Sequence, residues 1–324
     1  MSSFRLDRPV VIATRGSALA LTQARTVQAR FAKLFPELTF SIEIFKTTGD
    51  QLQSRAPEEI PANLPKGLFT KELEVALLEK RADLAVHSLK DLPTEFPEGL
   101  TLTAVSPRED VREVLLSKRP LTPTDTPGGL FRQLPDGGTV GTGSPRRQAF
   151  IRRANPALGT IGIRGNVPTR IKKLSEDADL DAIVLAAAGL NRLKYQLPPD
   201  QPIGGKEAPT GIFASFVPVG DMVPCVGQGA IGLETRADDP EIREICDRFN
   251  DRETQLCTET ERHFLAAMGG GCQTPVAAYA RVTSDLIHLI AANVADANTP
   301  LFEAQGPIDT RESLAQEAAE QLKG

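Results

Sequence analysis

Short apolar runs and apolar stripes at helical spacing alternate along most of this chain. Residues 9–13 form a short apolar run that reads as a strand, and Thr14-Arg15-Gly16-Ser17 follows as a turn. Ala20, Ala24, Val27, Phe31 and Leu34 then recur on one face and predict a helix reaching about Phe35. Phe40, Ile42 and Ile44 alternate with polar residues, the period of a second strand. Residues 51–65 are polar, proline-containing and aperiodic, which predicts a mobile loop. A helix near 70–80 leads into a buried-type strand at 83–87.

A Pro/Gly/Thr-rich stretch, 120–138, interrupts this scheme, which then recurs. Residues 139–141 read as a strand and Ser144 opens a helix, with Ser144 suited to the N-cap and Pro145 to the first helical position. Residues 160–163 form another strand, followed by Arg164-Gly165-Asn166-Val167 and a helix. A strand at 181–186 continues into Ala188-Gly189-Leu190-Asn191-Arg192. Such alternation implies parallel α/β sheets, here in two domains facing a cleft. Ligands of open α/β sheets bind beyond the carboxyl ends of the strands. Arg15, Lys90-Asp91, Ser144 to Arg147, and Arg164 all fall at such ends. The remainder differs: a helix at about 251–268, strands at 276–282, 286–294 and 301–305, and a helix near 310–322. That is a small α+β domain with an antiparallel sheet.

Composition narrows the function classes. At roughly 100–200 residues per domain, 324 residues allow two or three domains. Charged residues at 24% and hydrophobic residues at 40% mark a folded chain. Four cysteines, with no C-x-x-C pair, predict neither a disulfide framework nor a structural zinc site. Three histidines give poor support to a metal centre or a His-centred triad, so no metal is expected. No G-x-G-x-x-G and no Walker loop is present. No apolar run reaches the ~18–20 residues of a membrane span, and the start enters a strand directly, so a cytoplasmic protein with no membrane partner is expected. Net charge is −5, against nucleic-acid binding. Between 137 and 175, however, there is no Asp or Glu, while Arg146, Arg147, Arg152, Arg153, Arg164, Arg170, Lys172 and Lys173 crowd in. A basic segment inside an acidic protein points to a local anionic ligand.

Three groupings can carry chemistry. Ser144 at a helix start leaves N–H groups and the positive end of the dipole free for an anion. Arg146 and Arg147 in that first turn are unfavourable for the helix itself, so carboxylate binding is one reason for their presence and a solvated basic face is the alternative. Asp91, after a buried strand, can accept from a ligand N–H and stabilise a developing cation, although Lys90-Asp91 alone also fits a turn salt bridge. Cys272 follows Gly269-Gly270-Gly271, which lets a bulky group approach. Taken locally, an inert loop cysteine fits as well. Cys225, Cys246 and Cys257 lie in apolar or helical patterns and read as structural; His87 can serve as a hydrogen-bonding partner.

Together these segments resemble the porphobilinogen deaminase, or hydroxymethylbilane synthase, family. The segments that carry the resemblance are Thr14-Arg15-Gly16-Ser17, Lys66-Gly67-Leu68-Phe69, Val86-His87-Ser88-Leu89-Lys90-Asp91-Leu92-Pro93, Gly141-Thr142-Gly143-Ser144-Pro145-Arg146-Arg147, Arg164-Gly165-Asn166-Val167 with Arg170, Ala188-Gly189-Leu190 with Arg192, Val226-Gly227-Gln228-Gly229, and Gly270-Gly271-Cys272-Gln273. Each is weak alone; all of them in family order, over nearly the whole chain, are specific.

The resemblance implies an α/β fold of two type II periplasmic-binding-protein-like domains around a cleft, plus a small α+β C-terminal domain. The expected boundaries are 1–107 with 217–235, 108–216 with a long surface loop at 196–216, and 236–324. It implies a dipyrromethane cofactor held by a thioether to Cys272, with Lys90, Asp91, Thr142, Ser144, Arg146 and Arg147 around it. Porphobilinogen is the implied substrate, with Arg15, Ser17, Gln23, Arg164, Arg170 and Arg192 binding its acetate and propionate groups. Four molecules join in turn, each losing ammonia, and hydrolysis releases hydroxymethylbilane. Asp91 is the implied catalytic carboxylate, residues 51–65 match a loop over the active site, and a monomer is expected. Gly143 and Pro145 depart from the Ser and Leu common in the family. The rival readings are a non-catalytic solute-binding module for a small polycarboxylate, a regulatory effector domain and an RNA binder.

Overall fold

The apolar residues Val10, Ile12 and Ala13 are fully buried, and they set the first strand at the centre of a sheet, not at its margin. The computed structural model describes residues 6–49, 69–270, 275–295 and 300–323. The expected loop at 51–65 and Cys272 lie outside the described residues. In chain order the strands are β1 (Val10–Arg15), β2 (Phe40–Phe45), β3 (Leu84–Ser88), β4 (Leu100–Val105), β5 (Glu113–Ser117), β6 (Thr139–Gly141), β7 (Gly159–Ile161), β8 (Ala182–Ala186), β9 (Phe213–Val217), β10 (Ile231–Arg236), β11 (Val276–Thr283), β12 (Leu286–Asn293) and β13 (Phe302–Pro307). The helices are α1 (Ala18–Leu34), α2 (Lys71–Leu78), α3 (Gly129–Arg132), α4 (Pro145–Ala154), α5 (Val167–Glu176), α6 (Ala187–Arg192), α7 (Pro240–Asp247), α8 (Arg252–Ala267) and α9 (Arg311–Lys323). The chain forms two units: Met1–Arg108 with Ala230–Leu256, and Glu109–Gly229 with Cys257–Gly324.

The first unit has a five-stranded sheet in the order β2-β1-β3-β10-β4. β1 runs parallel to β2 and β3, but β10 is antiparallel to both β3 and β4. The second unit repeats the scheme as β7-β6-β8-β5-β9, with β6 parallel to β7 and β8, and β5 antiparallel to β8 and β9. The sheets are therefore mixed, not wholly parallel as expected. Ile231 pairs with Ser88 at the end of β3, and Glu113 pairs with Ala186 at the end of β8. A strand that enters where its neighbour finishes has to run the opposite way. Both sheets thus carry an antiparallel strand in fourth place.

Within the first unit, α1 buries Ala20, Gln23, Ala24, Val27 and Phe31. Leu34, expected on that face, is 43% exposed; Phe35, one residue past the helix, is buried instead. Ile44 is likewise exposed on the edge strand β2, where Phe45 takes the buried place. α7 was not foreseen. Its Ile242, Ile245 and Cys246, with Phe249, join Val10, Val27 and Phe31 in one core, so the stretch 236–256 goes with the first unit and not with a third domain starting at 236. Likewise residues 217–229, expected in the first domain, lie in the second unit, where Val217 pairs with Glu113.

In the second unit the stretch 196–216 runs largely along the surface but is anchored at a few points. It forms isolated bridges from Gln196 to Gly204 and from Pro202 to Phe213, and it buries Ile203 and Ile212 with Ile183 and Leu190. β11, β12 and β13 make an antiparallel three-stranded sheet, as expected, and α9 covers it with Leu314, Ala315, Ala318, Ala319 and Leu322. Among the described residues no helix is long and apolar enough to cross a membrane.

Asp83 fastens the first sheet at the end remote from the turn after β3. It accepts from Arg8 Nη1 and Nη2 at 2.6 and 2.7 Å, from the Val11 N–H at 2.8 Å and from Arg236 Nη2 at 3.3 Å. Burial alone would raise this carboxyl, but these donors outweigh it and hold its pKa below the ordinary value. A carboxylate depressed in the folded state gives stability that is complete above its unfolded pKa and is lost as pH falls through the folded value. Asp83→Asn is therefore expected to cost about 3 kcal/mol at pH 7. It should also flatten the decline in stability below about pH 4. Urea unfolding at pH 7 and at pH 3 checks both; equal stability of the two proteins at pH 7 would rule the role out.

Candidate active site

The first sheet presents a pocket where β1 and β3 end, and Arg15, Ser17, Gln23, Phe69, Thr70, His87, Ser88 and Asp91 line it. Arg15 closes β1, and its guanidinium carbon sits 4.2 Å from the centre of the Phe69 ring, a cation–π contact that aims a long side chain. Ser17 caps α1 by accepting the Ala20 N–H at 3.2 Å. Gln23 is buried, and its amide donates to Ser88 Oγ at 2.9 Å. After Ser88 the chain makes a 3₁₀ turn, Leu89–Asp91. Leu89, its first residue, and Leu92, just after it, are buried, which leaves Lys90 half-buried and Asp91 exposed at the rim. The sequence Leu-Lys-Asp-Leu thus works as two apolar pins with two charges between them.

One lining residue, His87, rests on a buried carboxylate. His87 Nε2 lies 2.8 Å from Glu234 Oε2, with both side chains buried. Glu74 stands near both, and burial raises its carboxyl despite a hydrogen bond from Thr70. His87 thus lines the pocket with its Nε2 engaged by Glu234.

The second unit gathers the other expected residues at the corresponding end of its sheet. Thr142, just past β6, is buried and its Oγ1 accepts the Ser144 N–H at 3.2 Å. Ser144 caps α4, accepting the Arg147 N–H at 3.5 Å, and Pro145 occupies the first turn as expected. Arg146 and Arg147 are buried, not solvated. Arg146 donates to Glu113 Oε1 and, at 2.5 Å, to the Val223 carbonyl. Arg147 donates to Glu113 Oε2 at 2.7 Å and to the Val184 carbonyl at 2.9 Å. The carboxylate that these two arginines meet here is therefore the chain's own.

Asn166 caps α5 by accepting the Thr169 N–H at 3.0 Å. Gly165 before it has φ +113°, and a Cβ there would come within 2.8 Å of the Thr169 methyl. That tight turn leaves Arg164 exposed, and Arg170 Nε donates back to the Gly165 carbonyl at 2.7 Å. Arg192, at the end of α6, donates to the Gly229 carbonyl at 2.6 Å; burial lowers its pKa against the pull of Glu109. The turn Val226-Gly227-Gln228-Gly229 is tied from below. Glu261, fully buried on α8, accepts the Gly227 N–H and the Ala280 N–H, each at 2.8 Å.

The first unit thus brings Arg15, Ser17, Gln23 and Asp91 to one pocket, with Lys90 beside it. The second brings Thr142, Ser144, Arg146 and Arg147 together, with Arg164 in the turn before α5, Arg170 on α5 itself and Arg192 on the Gly229 carbonyl. Phe69, Glu234 and Glu113 escaped the reading of roles from sequence. Phe69 lies in one of the segments carrying the family resemblance, and Glu113 is an acid opening an apolar strand; either is a signal that could have been used. No group of His, Cys, Asp or Glu among the described residues could hold a metal ion. A rim carboxylate beside a guanidinium can take a ligand that offers N–H groups and carboxylates at once.

Two family models match this chain: "Porphobilinogen deaminase, dipyromethane cofactor binding domain" over residues 10–244, and "Porphobilinogen deaminase, C-terminal domain" over residues 255–324. A porphobilinogen deaminase of Chloroherpeton thalassium is 41% identical over 283 residues, 87% of this chain and 82% of that protein. One of Geobacter sulfurreducens is 40% identical over 313 residues, 96% of this chain and 90% of that protein. Among solved structures, the periplasmic VFT2 domain of Bordetella pertussis BvgS aligns at a TM-score of 0.40 and 15% identity, over 74% of this chain and 86% of that one, a likeness too weak to decide anything. Two models that between them take in nearly every residue, and relatives matched over most of their own length, leave one conclusion: the chain belongs to the porphobilinogen deaminase family.

Proposed function

We infer that this chain is a hydroxymethylbilane synthase. It is a transferase that joins four porphobilinogen molecules head to tail on a dipyrromethane primer, releases ammonia at each addition, and frees the linear tetrapyrrole by hydrolysis. The observation that carries this reading is the first-unit pocket, where Arg15 at the end of β1, Gln23 in the second turn of α1 and Asp91 in the turn after β3 stand together. The donor set fits the cofactor. Two pyrrole rings offer ring N–H groups and side-chain carboxylates, and in the first-unit pocket Asp91 can accept the former while Arg15 meets the latter. When bound, the cofactor supplies the ring carbon on which the chain grows.

In this reading Asp91 accepts from pyrrole N–H groups and offsets the positive charge that develops as ammonia leaves. Lys90, Thr142, Ser144, Arg146 and Arg147 hold the cofactor, and Cys272 is its thioether anchor. Arg15, Ser17, Gln23, Arg164, Arg170 and Arg192 take the substrate's acetate and propionate groups. The strands β11–β13 with α9 make a third domain bearing Cys272, and the working form is a cytoplasmic monomer.

The test is stoichiometric. Incubation of the purified protein with porphobilinogen should release four ammonia molecules for each linear tetrapyrrole formed. Saturable binding of porphobilinogen with no ammonia released would mark a solute-binding module instead.

A further inference from the structure

Arg146 and Arg147 are neighbours on a helix, so their side chains leave its axis about 100° apart. Sequence spacing alone does not bring them to one partner. Glu113 does so: one carboxylate oxygen receives Arg146 and the other Arg147. Glu113 is 0% exposed, and the two arginines are 6% and 8% exposed. The backbone puts Glu113 there, as the first residue of β5, paired with Ala186 at the end of β8 and with Val217 at the end of β9. This is the end of the second sheet from which Thr142, Ser144 and α6 depart. The Val223 and Val184 carbonyls pin the far side of each guanidinium. One carboxylate and two guanidiniums sum to a formal charge of +1.

We propose that Glu113 is the positioning residue of the carboxylate-binding site in the second unit: it draws Arg146 and Arg147 onto one carboxylate and so fixes the orientation and the net charge that the pair presents to a ligand's carboxylates. The proposal rests on the functional reading above, in which that ligand is the dipyrromethane and its parent pyrrole. Glu113 itself does not touch the ligand. It limits two mobile cations to one geometry before binding, which lowers the ordering cost when a carboxylate arrives. It also prevents the mutual repulsion of two adjacent buried guanidiniums from turning them apart.

The experiment uses the full-length cofactor-free protein, incubated with porphobilinogen and followed by intact mass. Wild type should gain the mass of the primer. Glu113→Gln should load at least tenfold more slowly at a temperature well below its unfolding midpoint, with unchanged far-ultraviolet circular dichroism, and Glu113→Asp should recover part of the rate. A residue needed only for folding would lower the midpoint and leave loading of the folded protein untouched, so wild-type loading by folded E113Q overturns the proposal. If E113Q does not fold, the pair Glu113→Gln with Arg146→Met restores the formal charge of +1 and is expected to fold but to load slowly. Wild-type loading by that pair overturns the proposal as well. If wild type itself gains no mass, it is the functional reading that fails, whatever E113Q does.

Discussion

Asp91→Ala is expected to lower turnover by roughly a thousandfold while the protein stays folded. A full charge about 4 Å from a developing cation, at an effective dielectric near 20, is worth about 4 kcal/mol. That is roughly three powers of ten in rate. The structure separates this loss from folding. Asp91 is exposed at the rim of its pocket, and the turn that carries it is held by the buried Leu89 and Leu92 and by the Leu89 N–H to the Ala230 carbonyl at 3.0 Å. Surface substitutions of that kind usually change stability by about half a kcal/mol or less. Asp91→Asn keeps the shape and removes the charge, so it should lie close to the alanine variant if charge is the main effect. Steady-state turnover beside a thermal melt decides the matter. Turnover within a few-fold of wild type in the alanine variant would refute a catalytic role.

The second large effect concerns Cys272. Intact-protein mass spectrometry of the wild type should show an addition the size of two linked pyrroles, and Cys272→Ser should show none and have no turnover. The thiolate is the nucleophile that makes a thioether, and a serine hydroxyl is far less acidic. The remaining cysteines act as internal controls. Cys246 is fully buried, and burial pushes its thiol far above the usual range; Cys257 is buried too. Peptide mapping should place the adduct on the segment containing Cys272. An active protein of unmodified mass, or an adduct surviving in C272S, would end the anchor hypothesis.

What the residues disclosed in advance was local. The helix from Ser17, the cap at Ser144 with Pro145 behind it, and the three strands of the last sheet follow from caps and periodicities that neighbouring residues set. What escaped was set by distance along the chain. β10 ends in Glu234, Thr235 and Arg236 and shows no strand pattern until its partners are known, and those lie in β3 and β4, far back in sequence. α7 carries Ile242, Ile245 and Cys246 at helical spacing, so its existence was legible; that it packs on Phe31 was not. The arginines show the same limit at the site. A basic stretch free of acids argued for a foreign anion, whereas Glu113, well outside that stretch, meets both guanidiniums first. Periodicity reports the face of an element and not what covers it.

The place of β10 has a consequence for how such a chain is made. It lies between β3 and β4, and α7 behind it completes their core, yet both are translated only after the strands β5 to β9 of the other sheet. As the chain leaves the ribosome, β1 to β4 must wait with a gap in their midst and the backbone donors of β3 and β4 unmatched. The second sheet can meanwhile assemble from contiguous sequence. The part of the enzyme made first is therefore the part that closes later, and for that interval its open strand edges are the ones most in need of protection from other chains.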